Sequence, residues 1–321
     1  MCARRANAAG ATGKANDLAS RASTNGLLGW RCAFRLPEVC LQCSRYRGGV
    51  DLEAMRSVAR SAALVGAEAV RDGVRPEVGA AKGLPGDWVT EVDLASERAI
   101  AGFLAAETPS VPFVGEELSG GASASGLRWV VDPLDGTTNY VHDFWAVGVS
   151  VALVDGDRPV AGAITAPFLQ EVWHAAAGAG AVWERASGAV ECRVSSRPAP
   201  SAVVATGFPF RRKERLPRYL AAMTAALEAF EDLRRPGAAC LDLAWTACGV
   251  FDGFFELGLA AWDVAAGGLL VQEAGGVVSD WSGGDGWLGG DILAGTPAVH
   301  EVLRSVAHDP PPLAPGIAPS G

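Results

Sequence analysis

The first regular pattern along the chain is a helical one that begins at Asp51. Apolar residues there recur every three or four positions, which is the spacing of a single helix face. The residues expected to face inward are Val58, Ala62, Val65 and Ala69. A second helix is expected after Asp93, with Ile100 and Leu104 facing inward.

Strand patterns follow the two helices. Short β-rich runs at residues 111–114 and 128–131 each end in acidic residues. Asp155-Gly156-Asp157 separates two apolar runs and predicts a hairpin, and another is expected around Ser187-Gly188. After about residue 200 the pattern changes to an alternation of strands and helices. The strands are expected at 202–206 and 252–257, and the helices at 216–230, 241–249 and 264–274.

This order of elements predicts an α/β (α+β) fold, with an antiparallel sheet in the first half and α/β structure in the second. We expect an N-terminal, metal-binding subdomain over residues 51–199 and a C-terminal subdomain over 200–308. Residues 309–321 form a Pro-rich tail that is expected to be disordered. Residues 1–49 lack periodicity, and they are a disordered tail, a basic arm, or upstream sequence that precedes a later start near Val50 or Met55.

Charge is distributed unevenly along the chain. Its 27 Lys and Arg residues against 36 Asp and Glu give a net charge of −9, yet residues 1–50 hold eight basic and only two acidic side chains. The net negative charge therefore lies in the rest of the chain, after residue 50, and it makes a nucleic-acid partner unexpected. No apolar run reaches the roughly 20 residues of a membrane span. Seven Cys residues without framework spacing favour a reducing compartment, so we expect a cytoplasmic protein.

Three segments place carboxylates at the end of a strand or the start of a helix. In the longest of them, Asp132 follows a buried strand, and Pro133 is expected to force a turn. Asp135 follows three residues after Asp132, near enough for both to share a cation. Hard divalent metals prefer such oxygen ligands, and carboxylates that bridge two ions are common in phosphate-cleaving sites. The three segments are Gly115-Glu116-Glu117, residues 132–139, and residues 262–267.

The residues after Asp135 suit a phosphate. Gly136 allows close approach of the backbone, and Thr137 and Thr138 can open a short helix whose N–H groups would hold an anion. Converging carboxylates repel one another, and their burial without a cation would cost several kcal/mol. The sequence therefore predicts a divalent metal site that binds a phosphate group.

Taken together, these motifs resemble the inositol monophosphatase family, part of a larger group of lithium-sensitive, Mg²⁺-dependent phosphatases. The resemblance spans about residues 51–308 and implies a layered αβαβα sandwich. Besides the three acidic segments, it is carried by residues 87–93, 237–239 and 254–256.

The resemblance also implies a set of metal ligands for two to three Mg²⁺ ions. Glu116, Asp132 and the backbone carbonyl of Leu134 look like the ligands of a first ion. A second ion would be bound by Asp132, Asp135 and Asp263. A third, weaker ion would lie near Glu116, largely through water. Glu116 is also counted among the expected catalytic residues.

Catalytic and substrate-binding roles follow from the same resemblance. Thr137, paired with Asp93, resembles the pair that orients and deprotonates an attacking water, so no covalent enzyme intermediate is needed. The amides of Gly136 and Thr137 would hold the phosphate. The remaining residues expected near the substrate are Lys82, Asp135, the backbone at Gly237 and Ala239, and Glu256.

The implied activity is hydrolysis of a phosphate monoester, with inositol monophosphate as the expected substrate and a homodimer as the expected assembly. Thr138-Asn139-Tyr140 and Glu256 favour a polyol substrate. Ala260-Ala261 stand where relatives often have polar residues, so histidinol phosphate and fructose 1,6-bisphosphate remain alternatives. A binding role with RNA or in transcription, as in some bacterial relatives, is an alternative of another class. The basic cluster Arg211-Arg212-Lys213 is the feature that supports it.

Overall fold

Three layers of helices alternate with two layers of β-sheet in this chain. The computed structural model that shows this describes residues 49–76, 80–81, 88–118, 126–210 and 212–308. The N-terminal extension and the Pro-rich tail expected above fall outside the described residues, apart from Gly49. Lys82 also lies outside them.

The larger sheet has seven strands that are hydrogen-bonded in sequence order. A two-stranded antiparallel ribbon, β1 (Ala80–Ala81) with β2 (Trp88–Val89), precedes it along the chain. The seven strands are β3 (Phe113–Gly115), β4 (Leu127–Asp135), β5 (Gly148–Asp155), β6 (Arg158–Ala166), β7 (Glu171–Ala176), β8 (Ala181–Arg185) and β9 (Gly188–Glu191). β3 and β4 are parallel, and every later pair is antiparallel, as expected for the first half of the chain.

The smaller sheet has five strands and a mixed topology. They are β10 (Val203–Thr206), β11 (Asp232–Arg234), β12 (Gly253–Glu256), β13 (Val277–Ser279) and β14 (Ile292–Gly295). The order across the sheet is β11-β10-β12-β14-β13. β10 runs parallel to both β11 and β12, whereas β14 is antiparallel to β12 and β13. The carboxyl ends of three strands therefore lie at one edge of this sheet.

Seven helices complete the described part of the chain. They are α1 (Leu52–Asp72), α2 (Glu91–Glu107), α3 (Thr137–Val141), α4 (Leu216–Ala229), α5 (Ala239–Ala247), α6 (Ala261–Glu273) and α7 (Pro297–His308). α1 and α2 cover the outer face of the larger sheet, and α4 and α7 cover that of the smaller one. α5 and α6 lie between the sheets and are buried along most of their length, as an apolar helix without a polar face should be. The αβαβα layering is thus confirmed. None of the described helices has the length and apolar character needed to cross a membrane.

The inward face of α1 differs from the expected one. Ala62 is buried as predicted, but Val58, Val65 and Ala69 are only half-buried. Small residues are buried in their place, because α1 approaches α2 closely. A Cβ atom added to Gly66 would lie 2.6 Å from Ile100 Cδ1, too close for a larger side chain. The residues that α1 buries are Leu52, Ala59, Ala62, Ala63, Gly66, Ala67 and Val70.

Pro133 does not form the expected turn, because it lies inside β4. The pairing of β4 with β5 shifts register between Asp132 and Asp135, so that β4 carries one extra residue there. A bulge of this kind tolerates proline, which has no N–H to donate to the neighbouring strand. Residues three apart on a regular strand point to opposite faces. The extra residue therefore lets the side chains of Asp132 and Asp135 point the same way.

Candidate functional site

Three carboxylates converge at the carboxyl end of β4. Asp132, Asp135 and Asp263 each offer an oxygen atom, and these oxygens all lie within 4.8 Å of one another. The bulge in β4 brings the first two together. The third comes from the first turn of α6, which packs against the same sheet.

Backbone amides orient all three carboxylates. Leu134 N donates to Asp132 Oδ1 at 3.0 Å. Cys240 N, in the first turn of α5, donates to Asp135 Oδ2 at 2.7 Å. Ala260 N, just before α6, donates to Asp263 Oδ2 at 2.7 Å. The cluster is therefore held by the strand end and by the two helices that lie between the sheets.

The electrostatics of this cluster fit a divalent cation. Burial raises the pKa of Asp132 well above its ordinary range, and the neighbouring charges of Glu116, Asp135 and Asp263 raise it further. Buried like charges are unfavourable until a cation compensates them. All the side-chain donors are carboxylate oxygens, the ligands that Mg²⁺ prefers. The residues present thus match the metal that the sequence predicted.

Thr137 and Asp93 meet beside the cluster. Thr137 Oγ1 lies 3.1 Å from Asp93 Oδ1 and 3.1 Å from the carbonyl oxygen of Leu134. The other oxygen of Asp93 accepts hydrogen bonds from Thr90 N at 2.8 Å and Thr90 Oγ1 at 2.6 Å, in the capping box of α2. Asp93 is thus a buried acceptor of fixed orientation, placed to receive a proton from the Thr137 hydroxyl.

Gly136 fixes where α3, the helix of Thr137, begins. It adopts a left-handed backbone with φ of 88°, and a Cβ there would lie 2.9 Å from the carbonyl oxygen of Ala146. A residue with a side chain would be strained here. Gly136 therefore lets the chain turn directly from β4 into α3.

Glu116 lies in the turn after β3, and Glu97 holds that turn in place. Glu116 borders the cavity described below, and Glu97 is fully buried. Glu97 accepts hydrogen bonds from Glu117 N at 2.9 Å and Leu118 N at 3.1 Å. A Cβ on Gly115 would lie 1.7 Å from Glu97 Oε1, so this approach requires glycine. Sequence reasoning missed Glu97, which reads as a polar residue within a helix.

A cavity of about 380 Å³ joins the carboxylates to the edge of the smaller sheet. Residues 207–210 follow β10, Arg235 follows β11, and residues 257–259 follow β12, and all of them line the cavity. Ligands bind at the carboxyl ends of parallel strands in open α/β sheets. The larger sheet thus supplies the acidic end of the cavity, and the smaller sheet supplies the opposite end.

Nearly all of the predicted site residues line the cavity. Asp93 lies behind Thr137 and does not border the cavity, and Lys82 is outside the described residues. Glu256 packs against Gly207, where an added Cβ would lie 2.1 Å from Glu256 Oε2. The predicted residues that line the cavity are Glu116, Asp132, Leu134, Asp135, Gly136, Thr137, Gly237, Ala239, Glu256 and Asp263.

Other residues line the cavity that sequence reasoning did not place there. The guanidinium carbon of Arg235 lies 5.4 Å from the ring centre of Phe208 and 5.5 Å from that of Phe210, within cation–π range. Arg235 comes directly after β11, and Phe208 comes two residues after β10. Their positions just after parallel strands could have identified them as candidate site residues. Asp242 borders the cavity from the first turn of α5, and no sequence signal marked it.

Comparison with known proteins identifies relatives that span most of this chain. A model of the inositol monophosphatase family matches residues 51–311. A protein of Pseudomonas aeruginosa named Nus factor SuhB is 40% identical over 236 residues, which cover 71% of this chain and 86% of the relative. The Aquifex aeolicus fructose-1,6-bisphosphatase/inositol-1-monophosphatase is 35% identical over 260 residues, covering 80% of this chain and 96% of the relative.

Solved structures show the same fold. An inositol monophosphatase from Anabaena superposes with a TM-score of 0.73 at 32% sequence identity, over 82% of this chain and 99% of the other. The extragenic suppressor protein suhB from Bartonella henselae gives a TM-score of 0.73 at 34% identity, over 80% and 99%. Because the family match covers most of the sequence and the fold agrees, this chain belongs to the inositol monophosphatase family, which is generally Mg²⁺-dependent.

Proposed function

We propose that this chain hydrolyses phosphate monoesters at the carboxylate cluster, with inositol monophosphate as its preferred substrate. Family membership supports the phosphatase activity. The observation that carries the proposal is the convergence of Asp132, Asp135 and Asp263 beside the Thr137–Asp93 hydrogen bond. Oxygen ligands next to an oriented hydroxyl and its acceptor are what metal-assisted hydrolysis requires.

The residues that would hold two to three Mg²⁺ ions are Glu116, Asp132, the Leu134 carbonyl, Asp135 and Asp263. When bound, Mg²⁺ supplies positive charge that clamps the phosphate and activates water for in-line attack. The mutual repulsion and burial of these carboxylates give the folded protein a reason to bind a cation.

Thr137 and Asp93 would orient the attacking water and take up its proton. The Thr137 hydroxyl can donate to Asp93 while its lone pairs accept from the water. Asp93 is held by Thr90, so its position does not depend on the substrate. The backbone amides of Gly136 and Thr137 would bind the phosphate oxygens, as the resemblance implies.

The leaving group would lie toward the smaller sheet. Asp135, Glu256 and the backbone at Gly237 and Ala239 all line the cavity, and Glu256 is the last residue of β12 in the smaller sheet. A carboxylate can accept hydrogen bonds from two hydroxyl groups, so Glu256 suits a polyol. This placement supports an inositol ring as the leaving group.

A phosphate-release screen tests the proposal. It would compare inositol 1-phosphate, histidinol phosphate, fructose 1,6-bisphosphate and a 3′-phosphoadenosine compound, with Mg²⁺ and with a chelator. We expect Mg²⁺-dependent release that is fastest, by kcat/KM, with inositol 1-phosphate. A higher kcat/KM for another compound would overturn the substrate assignment, and no release from any of them would overturn the activity.

A binding role is the second candidate, favoured by the name Nus factor that the Pseudomonas relative carries. Arg212 and Lys213 are exposed at the start of the segment that leads into α4. RNA binding should then weaken in the double variant Arg212→Ser, Lys213→Ser. If the role of the protein in the cell survives Asp135→Asn, that role depends on binding. If the role is lost, it depends on catalysis.

We also propose a homodimer, which rests on the resemblance. Light scattering should then give twice the 33.0 kDa of one chain. A monomeric mass at micromolar concentration would contradict it.

A further inference from the structure

Asp242 is a buried acid, and one of its two carboxylate oxygens has no hydrogen-bond partner among the described residues. Its side chain is 1% exposed, and the oxygen without a partner is Oδ1. The residue borders the cavity from the first turn of α5. Leaving a buried polar group unpaired costs about 1–3 kcal/mol, more if it is charged. Because Asp242 borders a cavity, a ligand bound there could supply the missing hydrogen bond.

The contrast with Asp252 shows that this is not how the fold treats its buried acids in general. Asp252 is also fully buried, and it does not line the cavity. It accepts hydrogen bonds from Val203 N at 2.7 Å and Arg197 Nε at 2.8 Å, and another from Ser195 Oγ. Both carboxylate oxygens of Asp252 thus accept hydrogen bonds, whereas Oδ1 of Asp242, a residue that borders the cavity, has no partner among the described residues.

The surroundings of Asp242 point to a hydroxyl group and not to a cation. The residue is not part of the carboxylate cluster. Burial raises the pKa of Asp242 well above the ordinary range, and the nearby negative charges of Glu256 and Asp135 raise it further. The positive charge of Arg235 acts in the opposite direction. A carboxyl group outside the carboxylate cluster can still hydrogen-bond a hydroxyl group.

We propose that Asp242 is a substrate-recognition residue that hydrogen-bonds a hydroxyl group of the leaving alcohol, between Asp135 and Glu256. The inference rests on the proposed phosphatase function and assigns one further residue to the recognition of its polyol leaving group. A site built to bond a hydroxyl discriminates against a leaving group that lacks it, because the buried acid then stays unpaired.

The test measures a selectivity ratio. It is kcat/KM for inositol 1-phosphate divided by kcat/KM for 4-nitrophenyl phosphate, whose leaving group carries no further hydroxyl. In Asp242→Leu we expect this ratio to fall at least about tenfold. In Asp242→Asn, which keeps an acceptor and a donor, the fall should be smaller. Because the leucine removes an unpaired buried acid, the melting temperature of the leucine variant should be no lower than that of the wild type.

Asp252→Asn is the matched control. It should lower the melting temperature, since it disturbs a satisfied buried carboxylate, and keep the selectivity ratio. Should Asp242→Leu not fold, the ratio of Asp242→Asn decides. A ratio within twofold of wild type, in a protein that hydrolyses both compounds, overturns this inference alone. If the wild type hydrolyses neither compound, both the inference and the proposed function are wrong.

Discussion

The two ends of the cavity are built in different ways. At the metal end, comprising Asp132, Asp135, Asp263 and Thr137, a backbone amide orients each carboxylate, and short stretches of sequence supply most of the residues. At the substrate end, comprising Phe208, Phe210, Arg235, Asp242 and Glu256, side chains come from the ends of separate strands and from α5. Two aromatic rings lie within cation–π range of the arginine there, and one oxygen of Asp242 has no hydrogen-bond partner among the described residues.

This difference suggests that the metal end determines the rate of the reaction and the substrate end determines the choice of substrate. The metal end is fixed by hydrogen bonds that exist without substrate, so under the proposed function its geometry would serve any phosphate monoester that reaches it. The substrate end includes Asp242 Oδ1, a buried polar atom that has no hydrogen-bond partner among the described residues. Changes at the metal end should therefore remove turnover, and changes at the substrate end should redistribute it among substrates.

The largest effect is expected for Asp135→Asn. The amide keeps an oxygen that can accept from Cys240 N, so the fold should persist, but the cluster loses a negative charge. Because metal ions supply several kcal/mol of transition-state stabilisation, kcat/KM should fall by about 1000-fold. Steady-state kinetics with inositol 1-phosphate would measure this, and the melting temperature would check the fold. Near-normal turnover would show that the cluster is not the reaction centre.

Thr137→Val should have the next largest effect. The substitution keeps the shape of the side chain and removes the hydroxyl that bonds Asp93, so we expect kcat to fall about 100-fold or more. Thr137→Ser, which keeps the hydroxyl, is the matched control and should retain most of the activity. Equal losses in both variants would argue against proton transfer through Thr137.

The pH dependence of stability should also mark the metal end. Because the folded-state pKa of Asp132 is raised above its ordinary value of 3.8, its stabilising contribution is complete below that value and is lost as pH rises through the folded-state pKa. Without Mg²⁺, raising the pH from about 5 to about 7 should lower the melting temperature of wild type relative to Asp132→Asn. Saturating Mg²⁺ should stabilise wild type and reduce this difference. Parallel pH profiles without metal would contradict the electrostatic account.

The smallest effect is expected for Phe210→Leu at the substrate end. Phe210 is one of two rings around Arg235, and an exposed cation–π contact contributes about 0.5–1 kcal/mol. Looser positioning of the arginine should raise KM for inositol 1-phosphate about two- to fivefold and leave kcat nearly unchanged. Leu227→Ala, an exposed apolar position outside the cavity, is the control. A large fall in kcat would mean that the two ends are not separable.

The sequence predicted the metal end better than the substrate end, for a physical reason. Asp132, Asp135 and Thr137 are neighbours along the chain, so a short motif already defines their relation. The bulge that turns Asp132 and Asp135 to the same side could not be predicted, and Pro133 was interpreted as a turn. Arg235 and Asp242 come together with Glu256 only through the pairing of strands far apart in sequence and the placement of α5.

The same limit applies to the fold. Alternation and turn residues identified most strands of the larger sheet and three helices of the second half, although β1, β2, β7, β11, β13, β14 and α7 were not predicted. The buried face of α1 was predicted only in part, because Ala62 is buried while Val65 and Ala69 are half-buried. Close packing against α2 selects alanine and glycine, and that contact is visible only in the structure.

A Mg²⁺ titration of phosphate release from inositol 1-phosphate tests the hypothesis that the carboxylate cluster binds Mg²⁺ for phosphate monoester hydrolysis. We expect no release in a chelator, a saturable rise as Mg²⁺ is restored, and a loss of that rise in Asp135→Asn. Release that persists in the chelator at the wild-type rate, or a rise that is unchanged in Asp135→Asn, would contradict it.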